Sequence, residues 1–126
     1  FGGENTPAPG GPITQPDMDP QIFDPLITEF LAMPERPKAI FLPSDLITAN
    51  FHRQLRERGD DPANYHMVSC NHEKPYLEGL FPQPEVIDIQ AELIGRRAAE
   101  MLLKRIAEPQ KNTEELLIEP RWRSEG

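Results

Sequence analysis

The sequence predicts an α/β domain with a mostly parallel sheet and flanking helices. Two short apolar runs, residues 38–42 (KAIFL) and 65–70 (YHMVSC), enclose an amphipathic stretch of helical period. That order is the strand–helix–strand unit of a parallel sheet. A third short run, residues 86–89, leads straight into the longest amphipathic segment, and a last apolar run follows it. Strands alternating with helices in this way build sheets that helices cover.

Residues 1–20 stand apart from the rest in composition. Pro7, Pro9, Pro12, Pro16 and Pro20 fall here among 15 prolines in all, and four of the 8 glycines do too. With few apolar side chains to bury, the segment reads as an extended surface loop or linker, and residues 21–126 as the domain. The first helix is expected to start at Asp24, a good N-cap, with Pro25 at the first helical position, where its missing N–H costs nothing. Leu26, Ile27, Phe30 and Leu31 then form one apolar face, and Pro34 and Pro37 end the helix. Asp19-Pro20 is a competing start, but it places Pro25 inside the helix.

The run at 38–42 lies between Pro37 and Pro43 and reads as a buried strand. Ser44 caps the next helix and Asp45 complements the positive end of its dipole. Ile47, Phe51, Leu55 and Arg58 share a stripe on it, and Gly59 supplies the stop. The turn Asp60-Asp61-Pro62 leads to the second strand, through a crossover expected to be right-handed. Residues 71–84, rich in proline and charge, read as loop. The long helix covers residues 90–107, with Ile94, Ala98, Met101, Leu102 and Ile106 on its dry face. Glu92 with Arg96 and Glu100 with Lys104 are i,i+4 pairs on the wet one. Pro109 terminates it. The last strand is expected to begin at residues 116–118 and to continue past Pro120 towards Arg123. No internal repeat is present.

A chain of 126 residues suits one compact domain. Its 37% hydrophobic and 27% charged residues, with mean hydropathy −0.57, suit a soluble one. No apolar run approaches the ~20 residues of a membrane span. The net charge of −8 argues against direct nucleic-acid binding, which draws on Lys and Arg to neutralise phosphates. The denser basic groups, Arg53/Arg56/Arg58, Arg96-Arg97 and Arg121/Arg123, are diluted by Glu and read as solvated faces. One cysteine, Cys70, forms no internal disulfide and fits a reducing cytoplasm. The start, Phe1-Gly2-Gly3, lacks an initiator Met, a basic flank and an apolar core, so it reads as the edge of a longer chain and not as a signal peptide.

Chemistry is most expected where strands end and helices begin, because ligands of open α/β sheets collect at the carboxyl ends of strands. Ser44, after the first strand, and Asn71, after the second, are the candidate contacts for a polar ligand. Each also has a plain structural role available, as N-cap and turn residue respectively. His66, Cys70 and His72 alternate onto one strand face, but parallel projection does not converge on a metal, and no CxxC or HExxH spacing is present. There is no GxSxG elbow, no Gly-rich phosphate loop after a strand, and His52 lies mid-helix away from Ser44. No catalytic residue, cofactor or metal is therefore assigned, and the chain reads as a non-enzyme.

Three segments taken together resemble the LacI-type (lactose-repressor) family of transcription regulators. Residues 36–71, RPKAIFLPSDLITANFHRQLRERGDDPANYHMVSCN, are similar to that family's P-x-A-I-F strand, Asn-Asp turn, R-E-x-G helix end and V-V-G-F-D strand. IGRRAAEMLLKRI resembles its M-G-R-R-A-V-E-L-L-L helix, and LLIEPRWRSE its closing strand. The resemblance implies the carboxy-terminal half of an effector-binding domain of the periplasmic-binding-protein kind: a partial two-lobe fold around a cleft for a sugar or related small molecule. It implies a cytoplasmic repressor acting as a homodimer, with DNA read through an N-terminal head that these residues lack. A fragment of a sugar-binding transport protein of the same fold is the alternative.

In the family's layout residues 20–72 belong to the lobe distal from DNA, and Val86–Glu119 supply a strand, a helix and a strand to the other lobe. The helix at Asp45–Arg58 corresponds to one that often contributes to the dimer interface. The family's cleft-facing Asn and Asp fall at Ser44 and Asn71. Both carry substituted chemistry, since an amide donates and accepts where a carboxylate only accepts. The effector therefore does not follow from known relatives.

Overall fold

The structure, a computed structural model, describes residues 19–124. The expected loop at 1–18 lies outside them. The chain divides into two units, Phe1–Arg36 and Pro37–Gly126.

In the first unit α1 spans Pro20–Ala32. The Asp19 carboxylate accepts from the Gln21 N–H at 2.9 Å, and Pro20 takes the first helical position. The helix thus starts at Asp19-Pro20 and not at Asp24-Pro25, and Pro25 lies inside it. Both dipeptides offer the same cap and the same pre-set φ. The earlier start adds a turn of helical hydrogen bonds, against which the one bond that Pro25 forgoes is the smaller loss. Ile27 is buried, while Leu26, expected on the same face, is exposed.

The second unit holds a sheet of β1 (Ala39–Phe41), β2 (His66–Asn71), β3 (Glu85–Asp88) and β4 (Arg121–Arg123), in that spatial order. The first three run parallel and β4 is antiparallel to β3. This is the mostly parallel sheet that the alternation of elements predicts. It also corrects two expectations. Residues 116–118 are outside the strand, which begins only after Pro120. And β3 and β4 extend the sheet of β1 and β2, so they belong to the same lobe and do not cross to another.

Register sorts the side chains. Met67, Ser69, Val86 and Asp88 share one face and are buried. Against them lies α2 (Asp45–Glu57), whose buried residues include Thr48, Phe51, His52 and Leu55. Arg58, expected in that stripe, is exposed beyond the helix end, where Gly59 at φ +82° turns the chain as expected. On the other face Phe41 and Trp122 remain 58% and 57% exposed. The expected loop at 71–84 contains one short helix, α3 (Lys74–Leu77), which buries Leu77.

The long helix α4 (Ala91–Ala107) buries none of its side chains. Its expected dry face is out in solvent, with Ile94 at 43%, Leu102 at 60% and Ile106 at 67% exposure. Arg97 pairs with Glu100 at 2.9 Å on it. An amphipathic helix of this length takes most of its stability from packing, so a bare face marks a surface made to be covered.

His52 is only 3% exposed, and its Nδ1 has no hydrogen-bond partner among the described residues. Burial, helped by the Arg56 charge one turn on, lowers its pKa to about 4 from the ordinary 6.5. A histidine held neutral by folding takes up a proton on unfolding, so stability is complete above pH 6.5 and is lost as pH falls towards 4. The loss amounts to roughly 3 kcal/mol. Urea melts between pH 7 and 4 should show this slope, and His52→Gln should flatten it. Leu55, fully buried, should cost about 2–5 kcal/mol on truncation to Ala.

Candidate functional site

Parallel strands bring their carboxyl ends to one edge. Here β1 ends before Leu42-Pro43-Ser44, β2 at Asn71-His72, and β3 at Asp88, with Gln90 two residues on. Ser44 is the N-cap of α2, its hydroxyl oxygen accepting from the Ile47 N–H at 3.2 Å. The structural role weighed for it from sequence is therefore filled, and its hydroxyl proton remains for another acceptor.

Behind this edge stands Asp45, with no exposed surface. Its Oδ1 accepts from the Ser69 hydroxyl at 2.5 Å, and its Oδ2 accepts from the Glu73 backbone N–H at 2.5 Å. Ser69 also meets Thr48 Oγ1 at 2.7 Å, and Thr48 lies 3.0 Å from the Ser44 carbonyl. Proton counting orients the chain. A carboxylate and a carbonyl only accept, so Ser69 gives its single proton to Asp45, and Thr48 shares its own between the Ser44 carbonyl and the Ser69 oxygen. One carboxylate thereby joins the start of α2, the core of β2 and the loop beyond Asn71.

That loop turns sharply. Asn71 and His72 take φ of 105° and 70°, and Gln90, at the corresponding point after β3, takes 56°. Left-handed backbone at non-glycine residues concentrates at functional sites. The Asn71 amide makes one long contact from Nδ2 to Glu73 Oε1 at 3.5 Å. The turn also takes His72 out of the strand alternation. His72 Nδ1 lies 3.5 Å from Asp88 Oδ2, whereas His66 pairs with Glu85 at 2.9 Å at the opposite end of the sheet. His66, Cys70 and His72 therefore do not share one face, contrary to the alternation expected from sequence.

Asp88 is 6% exposed. It accepts from the Gln90 N–H at 2.8 Å and from Arg123 Nε at 2.6 Å. Burial works to raise its pKa, but the hydrogen bonds from Gln90 and Arg123 and the charges of Arg123 and His72 outweigh it and lower the pKa. Sequence reading missed Asp88, Gln90 and Arg123. In sequence Arg123 reads as part of a solvated basic group, and the register Asp88↔Arg121, which brings β4 alongside the end of β3, is invisible there. The edge that results is polar and hydrogen-bonded.

The geometry defines a class: an α/β domain whose parallel strands bring their carboxyl ends to one polar edge. The family model of the periplasmic binding protein-like domain matches residues 8–124, and the chain belongs to that family. Its fold is that of LacI-family transcriptional regulators. The regulator CelR in complex with cellobiose shares 26% identity at a TM-score of 0.61, over 69% of this chain and 27% of that one. A LacI-family regulator from Enterococcus faecium with bound ribose shares 24% identity at 0.69, over 79% of this chain and 36% of that one. A third, from Clostridium acetobutylicum, shares 21% at 0.67, over 79% and 37%. The chain thus spans roughly a third of the length of these neighbours. Comparison with curated protein sequences finds no match.

Asp45→Ala strands the Ser69 hydroxyl and the Glu73 N–H and should lower stability by about 2–4 kcal/mol. Ser44→Ala, which loses only a cap, should cost about 1 kcal/mol. Chemical denaturation of the two variants checks the order, and equal losses would show that the Asp45 links contribute little.

Proposed function

We propose that this chain is the carboxy-terminal portion of the effector-sensing domain of a LacI-type transcription regulator, and that it holds a sugar-like effector at the carboxyl edge of its sheet. The observation that carries the reading is the joint placement of Ser44, Asn71 and Gln90 after three adjacent parallel strands. Ser44 and Asn71 can donate and accept hydrogen bonds, as sugar hydroxyls require, and Gln90, whose Nε2 donates to the Glu119 carbonyl at 2.6 Å, keeps its amide oxygen as an acceptor. Cellobiose and ribose in the neighbours' complexes support the ligand class. The regulators among the neighbours favour a sensor over a transport protein.

Signalling is a population shift. The effector prefers one arrangement of two lobes and so biases a dimer and a DNA-binding head that these residues do not contain. The second lobe supplies the other half of the contacts and covers the bare face of α4. The reading places the protein in the cytoplasm, and dimerisation engages the outer face of α2.

Calorimetry with ribose and cellobiose tests this. The 126-residue chain should bind more weakly than roughly 1 mM, having half a cleft. The same residues within the longer regulator should bind tightly, and Asn71→Ala there should weaken binding about tenfold. Tight sugar binding by the short chain, or indifference to Asn71→Ala, would overturn the reading. With α4 uncovered, the short chain should also self-associate, and Leu102→Glu with Leu103→Glu should suppress it. A clean monomer at high concentration in sedimentation would count against a covered α4.

A further inference from the structure

Beside the strand ends lies a cavity of about 290 Å³, set between the α3 segment and the β3–β4 side of the sheet. Its apolar floor is Leu77 and Val86, both buried. Around the floor stand His72, Lys74 and Arg123, with Glu78 as the carboxylate among the described lining residues. In a chain of net charge −8, a lysine, an arginine and a histidine around one concavity are not a sample of the average surface.

Arg123 is held for such a task. Its Nε is fixed on Asp88 Oδ2 at 2.6 Å, and its terminal nitrogens have no further partner among the described residues. A guanidinium anchored through Nε still offers donors in a rigid fork that matches an oxyanion. Lys74 likewise has no ion pair among the described residues and adds a mobile point charge. His72, 19% exposed on its side chain, stands between the cavity and the strand edge. An apolar floor strengthens each of these attractions by excluding solvent.

We propose that this cavity binds a small oxyanion, the carboxylate or phosphate group of a metabolite-sized ligand, at a site distinct from the sugar-like effector's edge. Binding there engages Arg123 and His72, the two side chains that also approach Asp88 Oδ2, and so reaches the β3 end of the effector edge. The proposal rests on the cavity alone and stands whether or not neutral sugars bind.

The test is a titration of the ¹⁵N-labelled 126-residue chain with sodium phosphate, and separately with sodium acetate, at constant ionic strength. Saturable amide shifts are expected at residues 72–78, Val86 and Arg123, with a dissociation constant on the order of 1 mM for the preferred anion. Lys74→Gln should weaken binding about tenfold, and Glu78→Gln should strengthen it several-fold. Both positions are exposed, so these variants keep the fold; Arg123→Gln should abolish saturation. Saturation by phosphate alone or by acetate alone assigns the ligand's charged group. Linear shifts spread over Arg53–Arg58 and Arg96-Arg97, or equal affinity in Lys74→Gln and the parent chain, would overturn the site.

Discussion

The ligand edge depends on one buried carboxylate. Asp45 lies in the first turn of α2, where the helix dipole favours negative charge, and its two oxygens accept from Ser69 in the sheet and from Glu73 beyond it. A buried charge without partners would cost several kcal/mol, so this position demands its donors. Meeting that demand fixes where α2 starts, how it sits on β2 and where the chain goes after Asn71. The left-handed turn at Asn71 and His72, unfavourable by itself, is held by the same Glu73 bond.

A second carboxylate does corresponding work one strand further on. Asp88 ends β3, caps the turn to Gln90 and anchors Arg123 from the antiparallel β4. The edge is thus framed by two acids whose charges are satisfied from behind and from the side.

Much of this was legible in the sequence. Ser44 as N-cap, Gly59 as the helix stop and the three parallel strands follow from local rules that tertiary contacts do not override. The two α1 starts offered identical Asp-Pro signals five residues apart, and local chemistry could not rank them. Asp45 was legible only as a helix-dipole residue, since its partners lie 24 and 28 residues away. Arg123 was hidden for the same reason: its partner Asp88 is 35 residues distant. The dry face of α4 was read correctly as apolar, but periodicity says that a face is made for burial without saying that the covering element lies in the same 126 residues.

The direct measurement is the amide spectrum of the ¹⁵N-labelled protein containing these residues, titrated with ribose and with cellobiose. The account predicts saturable shifts clustered at Ser44–Asp45, Asn71–Glu73 and Asp88–Gln90 for the sugar that binds. Saturable shifts confined to other surfaces, with these three strand ends unmoved, would contradict it.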